Sequence, residues 1–325
     1  MISVQRTPRI LVTGGAGFIG SWLVQELVQR GHDVLVLDDL STGKADSVPA
    51  EAELLVGDVL DQPVLKACLA RVDAVFHLAG VVGMRLAHAH KQRSYDIAVH
   101  STECVLDNFH GPVVLMSSSA IYGLTDGQAV TEDAIVTDDS VRLYDGGEVG
   151  YALGKWHMEA HGQHAAPFQP VLIVRPFNVV GPRQAGTYGM VVPTFVRLAL
   201  TGEPLEIHDD GLQSRSFGHV VTFVDALLRL AGTSEAYAPD ANIFNIGDDT
   251  LTTILDLART VVHACDAAER WSFVPYSEVF PGRTDVRARR PETTALTNTI
   301  GEVTWPDLQA IVRDVVAHER SGLVT

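Results

Sequence analysis

The chain has 325 residues, of which 46% are hydrophobic and 20% charged, and its formal net charge is -16 at pH 7. This composition predicts a globular protein with a large core and about two structural units. The negative charge argues against a nucleic-acid partner and an anionic membrane surface. Three widely spaced cysteines fit neither a disulfide framework nor a metal site, and no apolar run has the length of a membrane span. We expect a cytoplasmic protein with no metal and no membrane partner.

A glycine-rich turn lies near the amino terminus. Residues 9–12 are a short apolar run, Gly14, Gly17 and Gly20 follow, and residues 21–30 carry apolar side chains at helical spacing. Strand, glycine turn and helix in this order are the context of a dinucleotide-binding fingerprint, although a plain strand-to-helix turn has the same order. The glycines let the backbone approach a pyrophosphate, and the helix N-terminus offers free N–H groups.

The second apolar run, residues 33–37, ends at Asp38. Its distance from the glycine turn is close to that of the acidic residue that accepts hydrogen bonds from an adenosine ribose. A carboxylate at this position repels a ribose 2′-phosphate, so the sequence favours NAD over NADP. Lys44 follows closely, and its charge would weaken the discrimination.

The pattern of the next segments predicts the fold class. Apolar runs at 54–56, 74–78, 113–116 and 171–174 alternate with helical patterns at 61–70, 95–109 and 151–162. Such alternation predicts an α/β protein with a doubly wound parallel sheet covered on both faces. From about residue 181 the segments become shorter and mixed. We therefore predict a dinucleotide-binding domain at 1–180, to which part of 220–250 returns, and a smaller, interleaved C-terminal α/β substrate domain at 181–325.

Polar side chains follow several of these strands. Asp38, Asp58, Gly80 and the serines at 117–119 all stand at carboxyl ends of predicted strands, where ligands bind in such sheets. Residues 124–150 are acidic and are interpreted as a loop over the site, or simply a solvated surface loop. Four arginines at 283, 287, 289 and 290 suit a diphosphate, unless they pair with the surplus carboxylates.

Tyr151 and Lys155 come directly after this acidic stretch and share one face of a predicted helix. An ammonium beside a phenol lowers the pKa of the phenol, so Tyr151 could serve as a base near neutrality. A Tyr and a Lys four residues apart are common. The pair gains weight because it follows the serine cluster by one loop.

Together these motifs resemble the extended short-chain dehydrogenase/reductases, and among them the NAD-dependent nucleotide-sugar epimerases, dehydratases and decarboxylases. The matching motifs are Thr13-Gly14-x-x-Gly17-x-x-Gly20, the run from Asp38 to Gly43, Gly57-Asp58, His77-Leu78-Ala79, Ser117-Ser118-Ser119 before Tyr122-Gly123, Tyr151-x-x-x-Lys155, Phe177-Asn178-Val179 and Gln213-Ser214-Arg215. The resemblance covers nearly the whole chain. It implies a Rossmann fold, NAD as cofactor, a UDP-sugar as substrate and a homodimer.

The resemblance also implies roles for individual residues. The catalytic group would be Ser118, Tyr151 and Lys155. The other cofactor-binding residues would be Gly14, Gly17, Phe18, Ile19, Asp38, Leu40, Ser41, Thr42, Gly43, Asp58, Val59, Leu78, Ala79, Gly80 and Pro176, with Tyr151 and Lys155 contacting the nicotinamide end. The substrate-binding residues would be Arg85, Ser119, Asn178, Arg183, Val191, Arg215 and Arg289, of which Arg85 and Arg183 are candidates for a sugar carboxylate.

Differences within this family bear on the reaction. The dehydratases and decarboxylases carry acidic residues just after the catalytic hydroxyl, where this chain has Ser119 and Ala120. This pattern is most like the 4-epimerases, so we expect C4 epimerisation of UDP-glucose or UDP-glucuronate. Decarboxylation of UDP-glucuronate is the alternative, and an NAD-binding sensor without catalysis is a third possibility. The retention of Ser118, Tyr151 and Lys155 argues against the sensor.

Overall fold

A computed structural model describes residues 7–323. The strands are β1 (Arg9–Thr13), β2 (Asp33–Asp38), β3 (Glu53–Val56), β4 (Ala74–His77), β5 (Val113–Met116), β6 (Asp126–Val130), β7 (Val171–Pro176), β8 (Val179–Val180), β9 (Leu205–His208), β10 (Ser214–Ser216), β11 (Gly218–His219), β12 (Ile243–Ile246), β13 (Leu251–Thr253), β14 (Trp271–Val274) and β15 (Ala288–Pro291). The helices are α1 (Phe18–Gln29), α2 (Gln62–Leu69), α3 (Met84–Ala89), α4 (Lys91–Asp96), α5 (Thr102–Asn108), α6 (Asp138–Tyr144), α7 (Tyr151–Ala165), α8 (Val191–Thr201), α9 (Val220–Ala231), α10 (Ile254–Ala264), α11 (Tyr276–Val279), α12 (Thr294–Ile300) and α13 (Leu308–Leu323).

A seven-stranded parallel sheet dominates the described part of the chain. Its strand order is β12-β7-β5-β4-β1-β2-β3, and every neighbouring pair is parallel. The chain winds outward from β1 in both directions, so the strand order reverses between β1 and β4. This arrangement confirms the predicted doubly wound sheet, and such a reversal opens a crevice where ligands bind.

Both faces of this sheet are covered, which explains why its strands are almost continuously apolar. Ile10 and Val12 of β1 pack with α1 and α9 on one face, whereas Leu11 packs with α2, α5 and α7 on the other. A four-stranded sheet, β13-β10-β15-β6, and a third apolar cluster with α8, α10 and α13 form the smaller unit.

The two units are interleaved in sequence. Strand β12 returns to the large sheet and helix α9 packs against α1, while β6 leaves the first half of the chain to pair with β15. The boundary at residue 180 therefore stays a prediction.

The interpretation of residues 124–150 as a loop is wrong. This segment contains β6 and α6, and α6 begins with a capping box between Thr137 and Ser140.

None of the helices in residues 7–323 is both long and apolar enough to cross a bilayer. The same residues contain no cluster of His, Cys, Asp or Glu that could hold a metal ion.

Candidate active site

One large cavity of about 920 Å³ lies at the carboxyl ends of the central strands. It extends from the loops after β2 and β3, past the ends of β4 and β5, to the smaller unit. All the predicted catalytic and substrate-binding residues line it, and so do the predicted cofactor residues except Leu40 and Gly43. The roles of these residues stay predictions, but the fold brings them to one site.

The glycine turn forms a close backbone contact with the end of β4. Gly14 has φ +71°, and a Cβ there would lie 2.9 Å from the Ala79 nitrogen. A Cβ on Gly20 would lie 2.1 Å from the Gly14 carbonyl oxygen, so only glycine lets α1 pack this tightly. Helix α1 begins after Gly17 without a side-chain cap, which leaves its first N–H groups for an anion. This cradle fits the diphosphate of a dinucleotide.

Asp38 ends β2 with a buried carboxylate. Its oxygens accept hydrogen bonds from the backbone N–H groups of Ala16 and Leu40, both at 2.9 Å. Burial raises the pKa of Asp38, and these backbone hydrogen bonds oppose that shift. Leu40 (φ +57°) and Gly43 shape the loop behind the cavity, because a Cβ on Gly43 would lie 2.8 Å from the Ala16 carbonyl carbon.

The catalytic candidates meet where β5 ends and α7 begins. The hydroxyl groups of Tyr151 and Ser118 are hydrogen-bonded to each other, and Ser118 Oγ also accepts from the Ala120 N–H at 3.1 Å. One turn further along α7, Lys155 Nζ donates to the Met116 carbonyl at 2.6 Å. A serine, a phenol and an amine therefore converge on one wall of the cavity.

Burial controls the acidity of this group. It raises the pKa of Tyr151 to about 12 and lowers the pKa of Lys155 to about 8. The prediction that Lys155 lowers the pKa of Tyr151 is wrong for this structure, because burial dominates and Lys155 is not among the groups that shift the phenol. Sequence spacing places the two residues on one face but does not report how deeply the face is buried.

A buried polar network supports this wall and escaped the sequence analysis. Glu159, one turn beyond Lys155, accepts a hydrogen bond from Ser117 and two from Arg175, at 3.0 and 2.7 Å. Arg175 also donates to the Tyr122 hydroxyl at 2.8 Å, and that hydroxyl donates to Asn245 Oδ1 at 2.7 Å. The sequence pattern that could have predicted this network is a charged residue within an otherwise apolar element: Arg175 in β7 and Glu159 on the inner face of α7.

The substrate end of the cavity carries buried and paired arginines. Arg289 is buried, lies 5.1 Å over the Tyr144 ring and donates to the Gly123 carbonyl. Arg215 pairs with Asp285 at 2.7 Å. Ser119 is buried beside Ser118, Val191 begins α8, and Asn178 (φ +34°) lies in the turn between β7 and β8.

The two carboxylate-binding candidates differ in their surroundings. Arg85 is exposed on α3. Arg183 stacks 4.1 Å from the Trp22 ring and donates to Gln25 Oε1 at 2.6 Å, so it holds its loop against α1. Of the later arginines, Arg287 pairs with Asp210 on the surface, as expected if some arginines neutralise surplus carboxylates.

This geometry defines an NAD-binding enzyme site on a Rossmann fold. The chain belongs to the NAD dependent epimerase/dehydratase family, whose model matches residues 10–247. This membership confirms the family resemblance and NAD as the cofactor.

Individual relatives carry different activities. The chain is 31% identical over 300 residues to a UDP-N-acetyl-alpha-D-glucosaminuronate decarboxylase of Bacillus cytotoxicus, covering 89% of this chain and 90% of that protein. It is also 31% identical to UDP-glucuronic acid decarboxylase 4 of Arabidopsis thaliana, covering 90% of this chain but 64% of that protein. The UDP-glucose 4-epimerase of Thermotoga maritima, solved with UDP-glucose, superposes with a TM-score of 0.85 at 25% identity, covering 97% and 99% of the two chains.

Proposed function

We propose that this protein uses NAD to oxidise C4 of a UDP-sugar and then reduces the product again. The observation that carries the proposal is the convergence of Ser118, Tyr151 and Lys155 in the cavity that holds the glycine turn. Substrate binding would fall to the arginine-rich end, where Arg215 and Arg289 face the same cavity as the catalytic residues. Asn178 and Ser119 would bind between these two ends.

The chain's own residues would move the proton. Tyr151, in its ionised form, would accept the proton of the 4-hydroxyl, and Ser118 would donate to the sugar oxygen with the hydroxyl that now hydrogen-bonds Tyr151. Lys155, held by the Met116 carbonyl, would hydrogen-bond the nicotinamide ribose. When bound, NAD would supply the acceptor, and then the donor, of the hydride at C4.

Decarboxylation is the outcome best supported by the comparisons. The two curated relatives described above are named as decarboxylases of sugars that carry a carboxylate. The sequence alone favoured epimerisation and kept decarboxylation as the alternative. Oxidation of UDP-glucuronate at C4 creates a ketone two bonds from the carboxylate. Such a β-keto acid loses carbon dioxide readily, and protonation at C5 followed by reduction gives a UDP-pentose.

Epimerisation at C4 is the second candidate, and one local feature favours it. Ala120 is buried in the short helix Ser119–Tyr122, so the position that carries an acid in the decarboxylases has no carboxyl group here. Return of the hydride to the opposite face of the 4-keto sugar would then invert C4.

Product analysis separates these outcomes. We would incubate the NAD-loaded protein with UDP-glucuronate and, separately, UDP-glucose, and follow products by NMR. Decarboxylation predicts carbon dioxide and a UDP-pentose from UDP-glucuronate only, whereas epimerisation predicts UDP-galacturonate or UDP-galactose. Consumption of neither sugar by NAD-loaded protein would contradict the proposal and favour the sensor.

The dimer is implied by the resemblance, and sedimentation of the purified protein tests it.

A further inference from the structure

A bridge of three charged side chains crosses the cavity rim near the adenosine end. Arg93 of α4 donates to Asp58 Oδ2 at 2.9 Å and to Asp39 Oδ2 at 3.1 Å. Asp39 follows β2 and Asp58 follows β3, so one guanidinium links the two loops that flank the predicted adenosine position. All three residues line the same cavity as Asp38.

The location of this bridge follows from the strand order. The diphosphate cradle lies at the end of β1, and the catalytic group lies at the end of β5 on the other side. The nicotinamide half of a bound dinucleotide would therefore extend toward β5, and its adenosine half toward β2 and β3. The ribose would meet Asp38, whose immediate neighbour Asp39 holds Arg93.

The charges of the bridge determine whether the adenosine ribose of a bound dinucleotide can carry a 2′-phosphate. Asp39 and Asp58 both pair with the one guanidinium, and Asp38 adds a third carboxylate beside Asp39, so the negative charges here outnumber the positive one. A 2′-phosphate adds about two negative charges and would meet repulsion rather than a free arginine. Arginine is otherwise the residue best suited to bind a phosphate with two parallel hydrogen bonds.

The pKa shifts of these side chains agree with ion pairs between Arg93 and the two carboxylates. The bond to Asp58 is the main cause that raises the pKa of Arg93. The pKa of Asp39 is lowered on balance, since bonds from Ser41 and Arg93 outweigh its partial burial. Lys44, the other cation that the sequence placed nearby, does not line the cavity.

We propose that Asp39 and Asp58 set the preference for NAD over NADP by pairing with Arg93, which would otherwise receive a 2′-phosphate. Asp38 alone then does not account for the selectivity. This inference concerns cofactor choice and does not depend on which sugar the enzyme converts.

The test is a competition between the two dinucleotides. Each purified protein is equilibrated with an excess of an equimolar NAD and NADP mixture, desalted and denatured, and the released dinucleotides are quantified by chromatography. Compared with wild type, the double variant Asp39→Asn with Asp58→Asn should raise the bound NADP to NAD ratio about tenfold or more, equivalent to about 1.4 kcal/mol. Asp58→Asn alone, which changes one half-buried side chain, should shift the ratio in the same direction.

Arg93→Gln is the decisive addition. Placed in the double variant, it should return the ratio to near the wild-type value, because the phosphate receptor is then gone. Arg71→Gln is the matched control, since Arg71 is 41% exposed, against 43% for Arg93, and pairs with Glu53 outside the cavity. A ratio that does not rise in the double variant, or a rise that survives Arg93→Gln, would overturn the proposal.

Discussion

Glu159 and Arg175 form a two-bond ion pair whose side chains are only 1% and 3% exposed. The pair joins helix α7, which carries Tyr151 and Lys155, to strand β7. Ser117 donates to the same carboxylate from the residue next to Ser118. The two segments that supply the catalytic group, α7 and the residues after β5, are therefore tied to each other and to β7 behind the site.

Breaking this pair should destabilise the protein strongly, because the remaining charge would be buried without its partner. We expect Glu159→Gln to lower the free energy of unfolding by about 3–5 kcal/mol in urea denaturation. Arg259→Ala, which removes an exposed pair with Asp256, should change it by no more than about 0.5 kcal/mol. Equal effects of the two substitutions would show that the buried pair adds nothing beyond a surface pair.

His77 should make the protein sensitive to acid. It is buried between the hydroxyl groups of Thr13 and Ser101, both at 2.8 Å, and burial lowers its pKa from 6.5 to about 3. Between these values the unfolded chain binds a proton that the folded protein does not. The contribution of His77 to stability is therefore complete above pH 6.5 and is lost as the pH falls toward 3, by about 1.4 kcal/mol per pH unit.

Urea denaturation at a series of pH values below 6.5 measures this slope. His77→Gln should reduce this slope by about 1.4 kcal/mol per pH unit, the contribution of one proton. The substitution His164→Gln, at an exposed histidine, should leave the slope close to that of wild type. An unchanged slope in His77→Gln would mean that His77 is protonated in the folded protein.

The glycine turn should not tolerate a single methyl group at Gly20. Because the new Cβ would lie 2.1 Å from the Gly14 carbonyl oxygen, α1 would have to move away from the phosphate cradle. We expect Gly20→Ala to reduce bound NAD by at least about tenfold, measured as dinucleotide per protein after denaturation. Gly232→Ala, whose Cβ would meet only ordinary contacts from 3.4 Å, is the control and should retain NAD. Full NAD content in Gly20→Ala would contradict the assignment of the glycine turn as the site that binds the NAD diphosphate.

Two adjacent serines should differ in their effect on catalysis. Ser118 bonds Tyr151, so Ser118→Ala should lower kcat about 10- to 100-fold, the cost of one hydrogen bond to a charged oxygen. Ser119→Ala should act mainly on KM, because Ser119 is predicted to contact the sugar. Steady-state kinetics with the converted sugar measure both, and a larger loss of kcat in Ser119→Ala would reverse the assignment.

The sequence predicted the parts of the site that are local in the chain. The glycine turn, Asp38 and the pair of Tyr151 with Lys155 each depend on a short segment whose spacing is readable. The contacts of Glu159 with Arg175, and of Tyr122 with Asn245, join residues far apart in sequence, so no spacing rule reports them. Only the first of these contacts could have been suspected, from the charges that Glu159 and Arg175 place in otherwise apolar elements.

The errors have related causes. Strand β6 was missed because its residues Asp126–Val130 carry no apolar alternation, and pairing with β15 makes them a strand. The pKa of Tyr151 was misjudged because burial, which depends on the whole fold and not on sequence spacing, is the largest cause of its shift.

The most direct test of oxidation at C4 is stopped-flow absorbance of reduced nicotinamide when the NAD-loaded protein meets the sugar that it converts. The account predicts a transient signal that forms more slowly with the C4-deuterated sugar, because the bond to that hydrogen breaks. Tyr151→Phe should retain NAD and give neither signal nor product. Turnover by Tyr151→Phe near the wild-type rate, or formation of the signal at the same rate with and without deuterium, would contradict it.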